Sequence, residues 1–122
     1  MKQFDAKLEE KCWNYISKIN WKKNAKELLK TNDLFNKIVP ESFRKTLERF
    51  VRIKHEELAV KYRDNWLETP GFNVSDDSWS DLRAEIIGRG KDFFNSITVD
   101  KIEEMANNSD YKESFIYIFQ KY

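Results

Sequence analysis

The sequence predicts an all-α domain: a single compact bundle of about five to six helices spanning residues 1–122. Three observations predict it. Only three glycines and two prolines punctuate the 122 residues, and these are the types that break helices most strongly. Lys, Glu, Leu and Ala, all good helix formers, are spread throughout. Apolar residues recur at spacings of three and four along most of the chain, which is the period of a helix with one buried face. The length suits one domain, since typical domains hold roughly 100–150 residues.

Phe4, Leu8, Cys12, Tyr15, Ile16 and Ile19 lie on one face of a first helix. Asn20 and Trp21 interrupt it. Ala25, Leu28 and Leu29 begin a shorter second helix with a lysine-rich outer face, Thr31-Asn32-Asp33 offers cap chemistry, and Leu34, Phe35 and Ile38 make one or two further turns. Val39-Pro40-Glu41 is a helix start, because proline at the first helical position loses no intrahelical bond. From there Phe43, Leu47, Phe50, Val51, Leu58, Tyr62 and Trp66 carry the longest helix, residues 40–67, with Lys54 and His55 interrupting its apolar stripe.

Thr69-Pro70-Gly71-Phe72-Asn73-Val74 reads as a loop, because Pro-Gly is a turn signal and Pro70 disfavours helix at Thr69. Ser75 is a helix N-cap candidate, with Asp76 and Asp77 suited to the positive end of the helix dipole. Trp79, Leu82, Ile86, Gly90, Phe93, Phe94 and Ile97 form the cleanest amphipathic stripe of the chain. Gly88 and Gly90 fall inside it, at about 1 kcal/mol each relative to Ala, and close approach of a neighbouring helix or ring at Gly90 would explain the cost. A short helix follows Thr98 with Ile102, Met105 and Ala106 inward; Asn107–Asp110 turns the chain; Tyr111, Phe115, Ile118 and Phe119 anchor a last helix. The β-rich run 115–119 also suits a strand, but it has no clear partner strand.

Composition excludes several classes. At 40% hydrophobic, with nine Phe, five Tyr and four Trp, the chain is too apolar for disorder. One cysteine excludes an intramolecular disulfide framework and a Cys-cluster zinc site. Charges every few residues in the first ten positions leave no apolar signal-peptide core, and no uncharged run approaches the ~20 residues of a membrane span. The expectation is a cytoplasmic protein without membrane attachment, with Cys12 as a small core residue. The formal net charge of +1 is a cancellation: residues 1–66 carry 16 Lys+Arg against 10 Asp+Glu, and residues 67–122 carry 6 against 11.

The segment 75–94 reads Ser-Asp-Asp-Ser-Trp-Ser-Asp-Leu-Arg-Ala-Glu-Ile-Ile-Gly-Arg-Gly-Lys-Asp-Phe-Phe. It resembles the bacterial domain-of-unknown-function family four-two-four-zero. That family shows Ser-Asp-Asp, an aromatic two residues on, then Phe-Arg, a small residue, an apolar pair and a Gly-x-Gly-Arg-like close. Ser75, Asp76, Asp77, Trp79, Arg83, Ile86, Ile87, Gly90 and Lys91 occupy matching positions. Upstream, Tyr62-Arg63-Asp64-Asn65-Trp66 is similar to the family's Tyr-Arg-x-x-Leu-Trp, one residue shorter, and Trp13 and residues 114–122 look like its early tryptophan and trailing segment. The chain departs from the family at Asp81 and Glu85, where an aromatic is usual, and in its shorter loop at 68–74. The resemblance implies a fold and a bacterial source, and carries no activity.

Several clusters are candidate sites. Ser75-Asp76-Asp77 suits N-capping, reinforced by Arg63 or Arg83; as a cation site it is short of oxygen ligands. Asp77, Asp81 and Glu85 follow one another at i+4 and share a helix face opposite Leu82 and Ile86. Like charges so placed cost a helix a few tenths of a kcal/mol. That acidic ridge, with Asp76, is the expected protein-partner surface, although a solvated polar face is the commoner role of such a run. Lys18, Lys22, Lys23, Lys26 and Lys30 surround Trp21, a pattern that can hold a nucleic-acid backbone and stack a base, or be a solvated lysine face with Trp21 at the rim of the core. His55 has no metal-binding spacing to Cys, Asp or Glu and reads as exposed. There is no P-loop, no Gly-x-Ser-x-Gly and no Cys–His pairing in sequence, so neither a catalytic set, a cofactor nor a metal is expected.

The leading functional expectation is a protein-interaction module of the immunity or antitoxin type that neutralises a cognate toxin through Asp76, Asp77, Asp81 and Glu85. The alternative is a nucleic-acid-associated regulatory domain using Lys18–Lys30. A weaker third is a small-ligand domain around Ser75–Asp77, Arg63 and Arg83.

Overall fold

A computed structural model describes residues 4–31, 33–68, 76–107 and 118–119. Among them are seven helices and no strand: α1 (Ala6–Ile19), α2 (Trp21–Lys30), α3 (Asp33–Ile38), α4 (Glu41–Glu68), α5 (Asp76–Gly88), α6 (Lys91–Ser96) and α7 (Val99–Asn107). The all-α class holds. The helix number exceeds five to six because α3 stands as its own short helix and the stripe from Trp79 to Ile97 breaks in two. Residues 69–75 and 108–117, including Ser75, Tyr111 and Phe115, lie outside the described residues. Ile118 and Phe119 form a buried 3₁₀ turn.

Local chemistry sets the boundaries. Asp5 caps α1, its carboxylate accepting from the Leu8 N–H at 2.7 Å. Asn20 ends α1 in the left-handed region (φ 48°), its N–H donating back to the Ile16 and Ser17 carbonyls; asparagine tolerates that conformation better than most residues. Thr98 caps α7 through its hydroxyl, which accepts from the Lys101 N–H at 3.2 Å. Gly90 separates α5 from α6 at φ +104° and ψ 175°, a region essentially restricted to glycine. A Cβ there would meet nothing within 4 Å. The close-approach explanation for Gly90 is therefore corrected: backbone conformation, not crowding, requires the glycine.

α4 is the spine, about 42 Å long at 1.5 Å per residue, packing against α1 and α5. Trp13 meets Phe50 edge-on at 5.2 Å between ring centres and Phe94 at 5.3 Å, joining α1, α4 and α6 in one aromatic cluster. Both polar interruptions of the α4 stripe are accommodated inside this packing. Lys54, only 13% exposed, runs its stem between the Phe50 and Phe94 rings and reaches Glu9 at 3.4 Å and Glu57 at 3.3 Å. His55 is half-buried against α5, not exposed as its charged neighbours in sequence suggest.

α5 is the central helix. Leu82, Ala84, Glu85, Ile86, Ile87 and Gly88 are all buried, so most of its circumference is enclosed, with α4, α6 and α7 packed on it. With neighbours on several sides, α5 buries Glu85, the last residue of the acidic ridge, and half-buries Asp81. No described helix is long and apolar enough to cross a membrane.

Candidate functional site

Glu85 is 7% exposed. Its Oε1 accepts from the Trp21 indole N–H at 2.9 Å and its Oε2 from Arg89 Nε at 2.8 Å. The carboxylate thus bridges α2 to the end of α5, and both of its oxygens are used internally. Two expectations fall together here. Glu85 does not belong to an exposed acidic contact surface, and Trp21, 2% exposed, cannot stack a base. Each was read from a one-dimensional neighbourhood of charges. In three dimensions burial desolvates both groups, and the N–H and carboxylate satisfy each other. Asp81 is half-buried. Asp76 and Asp77 open α5, and their side chains lie outside the described residues, as do those of Arg63 and Trp66 on α4.

Of the family-like residues that are described, Tyr62, Trp79, Ile86 and Ile87 are buried, Arg83 and Gly90 are half-buried and Lys91 is exposed. Tyr62 is 7% exposed and donates its hydroxyl to the Ile97 carbonyl at 2.9 Å. Trp79 is buried, and the Arg83 guanidinium lies over its ring at 5.3 Å. Arg83 Nη1 also donates to the His55 carbonyl at 3.1 Å and sits 3.2 Å from His55 Nδ1, while His55 Nε2 is 3.0 Å from the Ser80 carbonyl. A guanidinium only donates, so Nδ1 accepts and the Nε2–H donates, which makes His55 the neutral Nε2–H tautomer. Burial pushes the His55 pKa down, and the Arg83 charge adds to that, against the Ser80 hydrogen bond. Burial also lowers Arg83. Among the described residues, Arg83 packs on His55 and Trp79, and its Nε has no hydrogen-bond partner. The cluster is a clasp between α4 and α5. Ser80 Oγ stands 3.4 Å from Nε2, but that nitrogen already serves the Ser80 carbonyl, so the pair is not arranged as a nucleophile and its base.

Cys12 is fully buried, and its thiol is pushed up to about 11, chiefly by desolvation and then by Glu9. A thiol so held is inert. Among the described residues no group of three or more His, Cys, Asp or Glu is placed to hold a metal ion.

The lysines behave differently. Lys18, Lys22, Lys23, Lys26 and Lys30 are all exposed, and among the described residues none of them forms an ion pair. On α2, Trp21 and Leu28 face the core with Ala25 half-buried beside them, which turns Lys22, Lys26 and Lys30, at successive i+4 positions, outward. Three like charges in that arrangement oppose one another by a few tenths of a kcal/mol per pair, and Lys22 and Lys23 also sit at the positive end of the helix dipole.

Beside this face opens a groove of about 680 Å³ between the second half of α1 and the α5–α6 corner. Asn14, Ser17 and Asn20 form one wall and Gly88, Arg89 and Gly90 the other, with Trp13 and Phe93 at its base and Lys22 at one end. Glu10 and Lys91 bridge it at 2.8 Å, both well exposed. Sequence inspection passes over this wall because Asn14, Ser17 and Asn20 belong to no motif. Their only signal is a three-residue spacing of small polar side chains beside the apolar stripe of α1. On α7, Asp100, Glu103, Glu104 and Asn107 line a shallow depression of about 390 Å³, and Glu104 is paired with Lys101 at 3.0 Å. Compared with known proteins, the chain matches no family model, no curated protein and no solved structure.

Proposed function

We propose that this protein is a nucleic-acid-associated domain that holds a phosphate backbone on the lysine face of α2. The observation that carries the reading is the set of five exposed lysines, Lys18, Lys22, Lys23, Lys26 and Lys30, without a carboxylate partner among the described residues. Lysine is depleted from the centres of protein–protein interfaces and is a flexible point charge suited to phosphate. The mutual repulsion along α2 is relieved by a polyanion. With Trp21 withdrawn into the core, this face carries electrostatic contact and no base recognition of its own.

Binding through it falls steeply with salt, because each neutralised phosphate releases counterions. Five contacts on duplex DNA correspond to a slope of about −4 in log K against log salt. Replacing Lys22, Lys23, Lys26 and Lys30 with Gln reduces that slope and the affinity while leaving the melting temperature in place. Failure of the parent protein to bind single-stranded or duplex DNA or RNA at low salt would sink the reading.

A second reading, an immunity or antitoxin-type protein of bacterial source related to the family that residues 75–94 resemble, is favoured by one observation. Asp100, Glu103 and Glu104 gather on one side of α7, with Glu104 paired to Lys101 at 3.0 Å, and a predominantly acidic surface of this kind steers a basic partner. Its contact surface then includes α7, and Glu85 of α5 does not belong to it. Mixing the protein with a toxin encoded beside it tests this, and absence of a complex at micromolar concentration removes it.

A further inference from the structure

We propose that the groove between α1 and the α5–α6 corner accepts an unstacked base, so that the domain binds single-stranded nucleic acid in preference to duplex. The inference rests on the proposed role of the lysine face, with which the groove is continuous through Lys22. Its size, about 680 Å³, lies within the range of small-molecule sites and far exceeds what an ion requires. The polar wall is unspent: the side chains of Asn14, Ser17 and Asn20 are exposed and make no hydrogen bond among the described residues. Two amides and a hydroxyl supply both donors and acceptors, which is the chemistry that the edge of a base presents.

The opposite wall is low because of its glycines. At Gly90 the space where a side chain would begin is open. Arg89 lies over the Phe93 ring at 5.1 Å and is fixed by Glu85 at 2.8 Å. Its side chain is 12% exposed, so a base meets this guanidinium only along the rim that stays open to the groove, where splayed bases stack on arginine planes as on aromatic rings. Lys22 and Lys91 both line the groove and are the cations available there to flanking phosphates. The Lys91–Glu10 bridge across the groove is well exposed, and exposed pairs of this kind are weak and readily exchanged. A duplex keeps its bases stacked and gains nothing from the groove, so it meets the lysine face alone.

The test compares three labelled probes of about a dozen nucleotides, a length within the reach of single-strand binding surfaces: oligodeoxythymidylate, the same strand with abasic positions, and a duplex. The parent protein is expected to bind the intact strand about tenfold more tightly than the abasic strand, the scale of one stacked base. Ser17→Leu, which fills the groove from an exposed position with an aliphatic side chain that offers no ring for stacking, is expected to remove that preference while retaining the abasic strand's affinity and the parent's helicity. Equal binding of intact and abasic strands by the parent, which needs no variant to be informative, overturns the groove proposal and leaves the lysine-face reading standing. An unchanged preference in folded Ser17→Leu does the same. Absence of binding to every probe at low salt overturns both.

Discussion

The indole N–H of Trp21, first residue of α2, donates to Glu85 Oε1 of α5 at 2.9 Å, while Arg89 Nε donates to Oε2 at 2.8 Å. Residues 64 positions apart are thereby joined by a carboxylate that is 7% exposed. Removing an acceptor from a buried network costs more than the bonds it made, because the donors remain desolvated. Glu85→Ala is expected to destabilise the protein by roughly 3 kcal/mol, the scale of breaking a buried charge pair. Glu85→Gln keeps the acceptor for Trp21 and costs less. Urea denaturation reads both, and a Glu85→Ala variant as stable as the parent would show that the network carries no stability.

The His55 clasp makes stability pH-dependent. The pKa of His55 in the folded protein is lowered from its ordinary 6.5, first by burial. Below 6.5 the unfolded chain therefore binds more protons than the folded one, and stability falls with falling pH. The contribution of neutral His55 is complete above pH 6.5 and is lost as pH drops toward the folded value. The urea midpoint is expected to decline between neutral pH and mildly acidic pH, and His55→Gln is expected to flatten part of that decline. An identical pH profile in the variant would remove His55 from the explanation.

At Gly90 the expected cost is conformational. The backbone at φ +104° and ψ 175° is held by the α5–α6 corner, where the Gly90 N–H donates to the Ile87 carbonyl at 3.0 Å. Gly90→Ala is expected to lose about 1–3 kcal/mol although its methyl meets open space. A thermal melt of Gly90→Ala unchanged from the parent would mean that the corner relaxes without cost.

Cys12 offers a probe of global opening. With no exposed surface and a thiol pushed up to about 11, it is expected to resist alkylation by iodoacetamide in the folded protein. It should react at the rate of a free thiol once urea unfolds the chain. Rapid labelling under native conditions would show that α1 opens locally.

The sequence by itself determined the helical class and most of the helices, because both follow from short-range chemistry. The three- and four-residue spacing of Phe4 through Ile19 predicts α1, and Pro40 predicts the start of the long helix, observed as Glu41–Glu68. Scarce glycine and proline leave few breaks elsewhere. The lysine face was legible for the same reason, since Trp21 and Leu28 turn inward and leave Lys22, Lys26 and Lys30 outside. Tertiary structure alone decided what lies against what. Asp81 and Glu85 form an acidic ridge on any isolated helix, yet α5 is enclosed by α4, α6 and α7, and Glu85 becomes an internal acceptor for Trp21 and Arg89. His55 looks solvated among Lys54, Glu56 and Glu57 but meets Arg83 and Ser80 once α5 packs across α4. The groove beside Lys22 arises only where α1 meets the α5–α6 corner. Helix periodicity shows which side of each helix is apolar; the number of neighbours a helix acquires, and therefore whether its polar side meets water or protein, is set by packing between segments far apart in the chain.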